Sequence, residues 1–109
     1  AEYETVQTHI SRIYSQTNAA ILGTKEAARA ADAGESDAIV KIISARIFAS
    51  EAAIEVARLG MRVGGGKAYN KMGITERLLR DSYAGQIMAP SVDVLILWLG
   101  RALLGLPLI

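Results

Sequence analysis

The chain has 109 residues, of which 51% are hydrophobic, with a formal charge of +1 and no cysteine. That length allows one domain with an ordinary core. A charge so close to zero predicts no strong attraction to nucleic acid or acidic lipid. The lack of cysteine excludes disulfides, thiolate metal sites and cysteine nucleophiles. With only two prolines and few aromatic residues, the composition favours an all-α domain.

The N-terminal residues Ala1-Glu2-Tyr3-Glu4 are polar and acidic, so no signal peptide is visible. The lack of cysteine does not settle the compartment, and the cytoplasm is the expected one because it fits that lack well. No initiator methionine is present, which predicts that the chain is a processed or excised piece of something longer.

A long first helix is predicted from Thr5 to Ala33. Gly23 interrupts it at a cost of about 1 kcal/mol relative to alanine, which predicts close packing against a neighbouring element. The predicted inward face recurs at spacings of three and four residues: Val6, Ile10, Ile13, Thr17, Ile21, Thr24, Ala28 and Ala31.

A second long helix is predicted from Ala38 to Met61, after a turn in which Gly34 ends the first helix and Ser36 or Asp37 caps the next. A turn this short predicts antiparallel packing, as in an up-and-down four-helix bundle. Small residues should let other helices approach the second helix on several sides: Ala45, Ala49, Ala52, Ala53 and Ala57.

Three consecutive glycines, Gly64-Gly65-Gly66, follow this helix. Glycines let a backbone adopt unusual conformations and bring bare amides close to a ligand. A phosphate-bearing ligand and a tight corner between helices both explain them, and the corner is the more common use of such a weak motif.

A shorter third helix is predicted to open at Gly73-Ile74 and to run to about Gln86, with Ile74, Leu78 and Leu79 facing inward. Ala89-Pro90-Ser91 ends it, because the residue before a proline avoids the helical conformation.

The last helix is predicted from Val92 to about Leu104, started by Pro90 or Ser91. Asp93 lies in its first turn, where the helix dipole favours a carboxylate. This helix is apolar on nearly every side, yet too short to span a bilayer. A second subunit is its expected cover, and an intradomain core or a peripheral membrane anchor are the alternatives.

No Ser/His/Asp arrangement and no metal-ligand spacing is visible in the sequence. The residues alone therefore predict an oligomeric helical bundle with a glycine-bearing edge and no metal, and they do not predict a reaction.

Four motifs stand in order along the chain: Ala45-Arg46-Ile47-Phe48-Ala49, then Arg62 with Gly65-Gly66-Lys67-Ala68-Tyr69, then Glu76-Arg77-Leu78-Leu79-Arg80-Asp81, then Ala89-Pro90-Ser91. In this series the chain resembles the C-terminal helical domain of the acyl-CoA dehydrogenase family of flavoproteins. That family carries Ala-Lys-x-x-Ala, a glutamine before Gly-Gly-x-Gly-Phe/Tyr, Glu-Arg/Lys-x-x-Arg-Asp and a Glu/Ala-Gly-Thr corner. Residues 1–109 are accordingly expected to form this domain, without its first helix and without the N-terminal and middle domains.

The resemblance implies a domain that helps form a homotetramer, as a dimer of dimers through the last helix, and completes an FAD site shared between subunits. It implies that Arg62, Gly64, Gly65 and Gly66 approach the dinucleotide part of FAD held by a neighbouring subunit. Arg62 would pair with the pyrophosphate where the family has glutamine.

The resemblance also places Ser91, for the usual threonine, and Asp93 near FAD at the start of the last helix, although a carboxylate would repel a phosphate. Met88 and Ala89 would lie near the acyl pocket. Arg80 and Asp81 are expected to form a structural ion pair.

Many members of the family use a glutamate in the last corner as the base that removes the α-proton, and Ala89 occupies that position. No catalytic residue is therefore expected in the chain, and the isolated segment is expected to be inactive. The parent would desaturate an acyl-CoA between its α and β carbons and pass electrons to an acceptor.

Pro90 and Ala68 depart from the family's glycines, which leaves open a flavin monooxygenase of the same fold. A non-catalytic helical assembly module is the other alternative.

Overall fold

The computed structural model describes residues 2–64, 74–88 and 90–108. They form four helices: α1 (Glu2–Asp32), α2 (Ala38–Gly64), α3 (Ile74–Ile87) and α4 (Val92–Leu103). No strand occurs within these ranges, and the domain measures 48 × 24 × 22 Å. The prediction of an all-α, four-helix domain is confirmed.

Helix α2 is the centre of the fold, because it packs against α1, α3 and α4. Among the described residues, α1 contacts neither α3 nor α4. The small residues of α2 allow these approaches from several sides, as predicted. The apolar core lies along α2 and is completed by two residues each from α1 and α4: Ala27, Ala30, Ile43, Ala52, Ile54, Leu59, Met61, Val92 and Leu95.

Gly34 ends α1 as predicted, because it adopts a positive φ of 67° that glycine reaches without steric cost. The Gly34 N–H donates to the Ala31 carbonyl at 3.1 Å, and the Glu35 N–H donates to the Ala30 carbonyl at 3.0 Å. This pair of bonds is the Schellman motif, which satisfies carbonyls that a helix end leaves free. The chain then reverses into α2, so α1 and α2 pack as an antiparallel pair.

The predicted inward face of α1 is only partly confirmed, because Val6 and Ile13 are half-buried while the rest of the predicted set is exposed. Ala27 and Ala30 are buried against α2, whereas Ile10 and Ile21 are about half exposed, at 52% and 47%. The buried face is therefore offset from the predicted stripe. Because α1 has a single helical neighbour in the described chain, only one of its two apolar faces can be covered.

Gly23 also departs from its prediction. A Cβ placed there would meet nothing within 4 Å, so no close neighbour in the described chain requires a glycine. It lies instead in the wall of an open cavity of about 390 Å³ between α1 and α2.

Helix α3 confirms its predicted range to within one residue, but its predicted inward face is partly wrong. Ile74 is 66% exposed and Leu78 is 56% exposed, while Leu79 is half-buried as expected. The reason is again the gap between α1 and α3, which leaves this side of α3 without a cover.

Within the described chain, no single helix is both long enough and apolar enough to cross a membrane. The segments Glu76–Ile87 and Val92–Leu103, taken together as a bent pair, meet these two criteria by length and composition only.

Candidate functional site

Ser91 begins α4 and caps it. Its backbone is extended (φ −67°, ψ 162°), and its hydroxyl oxygen accepts the Val94 N–H at 3.4 Å. The Ser91 carbonyl accepts the Leu95 N–H at 2.9 Å, which is the first bond of the helix. Because the hydroxyl oxygen is the acceptor in the cap, its hydrogen can still donate to another group.

The first turn of α4 adds further donors beside this hydroxyl, because the first N–H groups of a helix have no carbonyl partner within it. Together with the helix dipole they favour an anion or another acceptor. Asp93 is exposed in the same turn, as predicted. Its carboxylate already interacts favourably with the dipole, so a phosphate bound here would meet a like charge.

Met88 lies between α3 and α4 with its side chain 62% exposed. Its N–H donates to the Ala84 carbonyl at 3.0 Å and so extends the hydrogen bonding of α3 past Ile87. A thioether side chain held this way is free to contact an apolar ligand. Ala89, the other residue predicted near the acyl pocket, lies outside the described residues.

Arg62 and Gly64 belong to the last turn of α2, which extends three residues past its predicted end. The C-terminal end of a helix presents carbonyls and a partial negative charge, whereas its N–H groups are used inside the helix. Of these two residues, Arg62 therefore carries the donors for a phosphate, and its side chain is exposed. Gly65 and Gly66 lie outside the described residues, and their predicted contacts remain predictions.

The structure separates the two groups of predicted site residues. The Gly85 carbonyl, near the end of α3, accepts from Arg46 at 2.9 Å and faces the Ser50 hydroxyl at 3.5 Å. Ser50 and Arg62 are 12 residues apart on one helix, or about 18 Å along its axis. The corner that leads into Ser91 therefore starts beside the first half of α2, whereas Arg62 lies at its far end. Arg62 and the end of α3 that leads into Ser91 therefore lie at different levels of α2.

Arg46 and Ser50 form a polar bridge between α2 and α3 that the sequence analysis missed. Arg46 Nη2 donates to the Gly85 carbonyl, while Arg46 Nε donates to Ser50 Oγ at 3.2 Å. Ser50 is buried. The available signal was an arginine and a serine four residues apart on a largely apolar helix, since residues at that spacing share a face.

A second bridge joins the same two helices closer to the end of α2. Arg58 Nη2 donates to the Tyr83 hydroxyl at 2.7 Å, and its guanidinium carbon is 5.9 Å from the ring centroid. The hydrogen bond to Tyr83 raises the pKa of Arg58 above its usual range. Both side chains are exposed, so this bridge is more accessible to solvent than the part-buried bridge of Arg46.

The predicted ion pair between Arg80 and Asp81 is wrong. Arg80 Nε lies 3.0 Å from Glu76 Oε2, one helical turn earlier. Consecutive helical residues point in different directions, whereas residues four apart are neighbours. Asp81 instead lies on the wall of a largely apolar groove.

That groove runs over α2 between α1 and α3 and has a volume of about 610 Å³. It exists because α1 and α3 flank α2 without contacting each other in the described chain. Ile13 and Leu78 form its apolar walls, with Asp81 and Ser82 beside them; its floor is Ala53, Val56, Ala57 and Gly60. Across the described ranges, no group of three or more histidine, aspartate or glutamate side chains could hold a metal ion.

The sequence profile of the acyl-CoA dehydrogenase C-terminal domain matches residues 1–104. The chain is also 31% identical over 99 residues to a cyclohex-1-ene-1-carbonyl-CoA dehydrogenase of Geobacter metallireducens. That alignment covers 91% of this chain and 26% of the relative, so the chain spans about a quarter of the length of the curated relative that it matches.

Proposed function

The chain belongs to the acyl-CoA dehydrogenase family, as its C-terminal domain, and on that premise we propose that it completes an FAD site shared between subunits. The flavoenzyme that contains it would desaturate acyl-CoA thioesters between their α and β carbons. The observation that carries the shared site is the separation of Arg62 from the Ser91 corner along α2. Two groups of cofactor-binding residues at different levels of one helix can serve two FAD sites, each completed by another subunit.

The described residues fit a flavin dinucleotide in two ways. At the start of α4, the Ser91 hydroxyl and the first-turn amides are donors for the oxygen and nitrogen acceptors of FAD. At the end of α2, the exposed guanidinium of Arg62 suits a pyrophosphate, because its planar fork can donate to two phosphate oxygens. When bound, FAD supplies the acceptor for the hydride that leaves the β carbon.

The residues described around the corner contain no general base for the α-proton. Met88 and Pro90 carry no basic group, and the Ser91 hydroxyl oxygen is engaged in the cap of α4. With alanine at position 89, where many family members have glutamate, the base must come from another part of the protein. This corner would then position the acyl group while the proton is removed elsewhere.

The substrate class follows from the family and from the relative. Acyl-CoA thioesters are the proposed substrates, and the name of the Geobacter relative adds alicyclic acyl groups to the straight-chain ones that should be tested. An electron acceptor must also take part, because each desaturation leaves two electrons on the flavin.

A second copy of the chain is the proposed cover for α4. Its outward side presents a continuous apolar face around a cavity of about 460 Å³, and Leu104 on that face is 76% exposed. Arg101 Nη1 donates to the Pro107 carbonyl at 3.3 Å, which holds the chain after α4 against the helix and extends the face. Apolar surface of this kind on a helix end is typical of subunit interfaces. Arg101 is the one charged residue in this lining, whose apolar members are Ile96, Leu97, Gly100, Leu104 and Leu106.

The test is anaerobic titration of the full-length flavoprotein with saturated acyl-CoA thioesters, both straight-chain and alicyclic ones such as cyclohexane-1-carbonyl-CoA, because each of these carries the α-proton and the β-hydrogen that the reaction removes. Loss of the oxidised flavin absorbance on addition of a saturated or alicyclic acyl-CoA is the expected result. A flavin that no acyl-CoA reduces, but that reacts with oxygen after chemical reduction and inserts an oxygen atom into a substrate, would favour a monooxygenase of the same fold. Full-length protein that purifies without flavin and binds none would favour an assembly module.

A further inference from the structure

The C-terminal end of α3 is held by a side chain from another helix. The last described backbone bond of α3 runs from the Met88 N–H to the Ala84 carbonyl at 3.0 Å. The next carbonyl along the chain, that of Gly85, accepts from Arg46 Nη2 at 2.9 Å. Pro90 has no N–H to offer to the Gln86 carbonyl, four residues before it. Arg46 adds a donor from another helix to the neighbouring carbonyl in the last turn of α3.

The chemistry of this contact favours a fixed geometry. A guanidinium at the C-terminal end of a helix interacts favourably with the helix dipole, and its hydrogen bond to a carbonyl is charge-assisted. Arg46 is itself oriented by the buried Ser50, whose hydroxyl accepts from Arg46 Nε at 3.2 Å. The Ser50 hydroxyl also lies 3.5 Å from the same carbonyl. Three polar groups from two helices thus converge at one place.

We infer that Arg46 is a positioning residue for the corner between α3 and α4, and that it sets the placement of Met88 and Ser91 against their ligand. Gly85 precedes Met88 by three residues and Ser91 by six. Any tilt or lateral movement of the last turn of α3 is therefore passed directly to Met88, and the chain reaches Ser91 only three residues later. This inference rests on the proposed function for its ligand, but the positioning itself concerns only residues of this chain.

The second bridge between these helices supplies a matched control. Arg58 and Tyr83 also join α2 to α3 through a guanidinium, but they are exposed and their bond does not involve the end of the α3 backbone. If Arg46 only helps α3 to pack on α2, its loss and the loss of Arg58 should have similar effects on the α3–α4 corner. If Arg46 positions the corner, its loss should disturb the corner more than the loss of Arg58 does.

The test compares Arg46→Met, Arg46→Lys and Arg58→Met in the full-length flavoprotein. Amide hydrogen exchange is measured over residues 84–95, and kcat and KM are measured separately with an acyl-CoA that reduces the wild-type flavin. Arg46→Met should accelerate exchange at Val94 and Leu95 by roughly tenfold, because local opening of the corner becomes easier. It should lower kcat more than it raises KM, since a misplaced acyl group is still bound. Arg46→Lys keeps a cationic donor and should recover part of both effects.

Equal exchange rates at residues 84–95 in Arg46→Met and Arg58→Met would overturn the inference, as would a kcat that Arg46→Met leaves unchanged. If Arg46→Met does not fold, the comparison of Arg46→Lys with wild type decides, because the positioning role predicts faster exchange at the corner without loss of the oligomer. A wild-type flavin that no acyl-CoA reduces would refute the proposed function. In that case the exchange comparison alone still decides whether Arg46 fixes the corner.

Discussion

Arg29 binds Glu35 across the turn that joins α1 to α2. Its two terminal nitrogens donate to the two oxygens of the carboxylate at 2.8 and 3.0 Å. Arg29 Nε also donates to Glu26, and Lys41 Nζ lies 3.6 Å from Glu35. The hydrogen bonds from Arg29, followed by the attraction of Arg29 and Lys41, lower the pKa of both carboxyls below the ordinary value.

This network predicts a loss of stability in acid. A carboxyl whose pKa is lower in the folded state stabilises that state above the unfolded pKa, about 4.3 for glutamate. The contribution disappears as the pH falls through the folded pKa. The urea midpoint of the wild type should therefore drop between about pH 5 and pH 3, and Glu35→Gln should reduce that drop. The effect should be modest, because the groups are exposed.

The matched control for Glu35 is Glu51→Gln, which removes an exposed glutamate from α2. It should leave the acid drop as large as in the wild type. Identical pH profiles for the wild type and Glu35→Gln would show that the network has no net effect on stability.

Gly34 and Gly23 should respond in opposite directions to alanine. Gly34 has a φ of 67°, which costs an alanine about 1 kcal/mol, so Gly34→Ala should lower the free energy of unfolding. Gly23 lies inside α1 with nothing within 4 Å of a Cβ, so Gly23→Ala should raise it by roughly 0.5–1 kcal/mol. Chemical denaturation followed by circular dichroism measures both. Destabilisation by Gly23→Ala would reveal a second chain packed on that face.

The exposed face of α4 predicts a self-association that charge should disrupt. Leu97→Glu combined with Leu104→Glu places two carboxylates where the proposed interface would exclude water, and burying such charges costs several kcal/mol. Light scattering after size-exclusion chromatography should show smaller particles than in the wild type. Ser15→Glu, at an exposed position of α1, is the control and should keep the wild-type size. A double variant with an unchanged mass would exclude this face as the interface.

Substitutions at Ser91 can separate its capping role from its proposed role toward FAD. Ser91→Ala removes both the cap and the donor and should cost about 1 kcal/mol of stability. Ser91→Gly keeps most of the cap's stabilisation but lacks the hydroxyl, so it should lower FAD affinity at nearly wild-type stability. Ser91→Thr keeps the hydroxyl and should preserve both properties. Flavin affinity measured by fluorescence quenching, together with thermal melts, checks the series. Equal FAD affinity in Ser91→Gly and wild type would confine Ser91 to the cap.

The local features of the fold could be predicted from the sequence because they depend on neighbouring residues. Gly34 as the end of α1 is confirmed, and of Pro90 and Ser91, the two residues predicted to start α4, the structure has Ser91 as the cap; both features depend on bonds over a few positions. The inward face of α1 could not be predicted reliably, because Ala27 and Ile10 lie on two apolar faces of which only one finds a partner.

The parts of the candidate site that could not be predicted depend on contacts between residues far apart in the sequence. The bond between Arg46 and Gly85 joins residues 39 positions apart, so no local sequence pattern predicts it. Arg62 and Ser91 belong to neighbouring motifs in the sequence. Arg62 lies in the last turn of α2, whereas the end of α3 that leads to Ser91 packs beside Arg46 and Ser50, earlier on α2. Only the contacts between α2 and α3, Arg58 with Tyr83 and Arg46 with Gly85, reveal the levels at which the two helices meet.

A complementation experiment tests whether Arg62 and Ser91 serve different flavin sites. Arg62→Glu reverses the charge offered to a phosphate, and Ser91→Asp keeps a good helix cap while removing the hydroxyl donor and adding a negative charge. Each variant alone should lose FAD and activity. If each site takes Arg62 from one subunit and Ser91 from another, a mixed pair contains one site with both changes and one site with neither. Co-expression in equal amounts should then restore flavin in about a quarter of all sites, because about half of randomly formed pairs are mixed.

Co-expression of Arg62→Glu with a differently tagged copy of itself is the control and should restore none. Absence of flavin from the mixed oligomers would place Arg62 and Ser91 of one chain at the same site. Retention of flavin by either variant alone would show that the substituted residue is not needed to bind the cofactor.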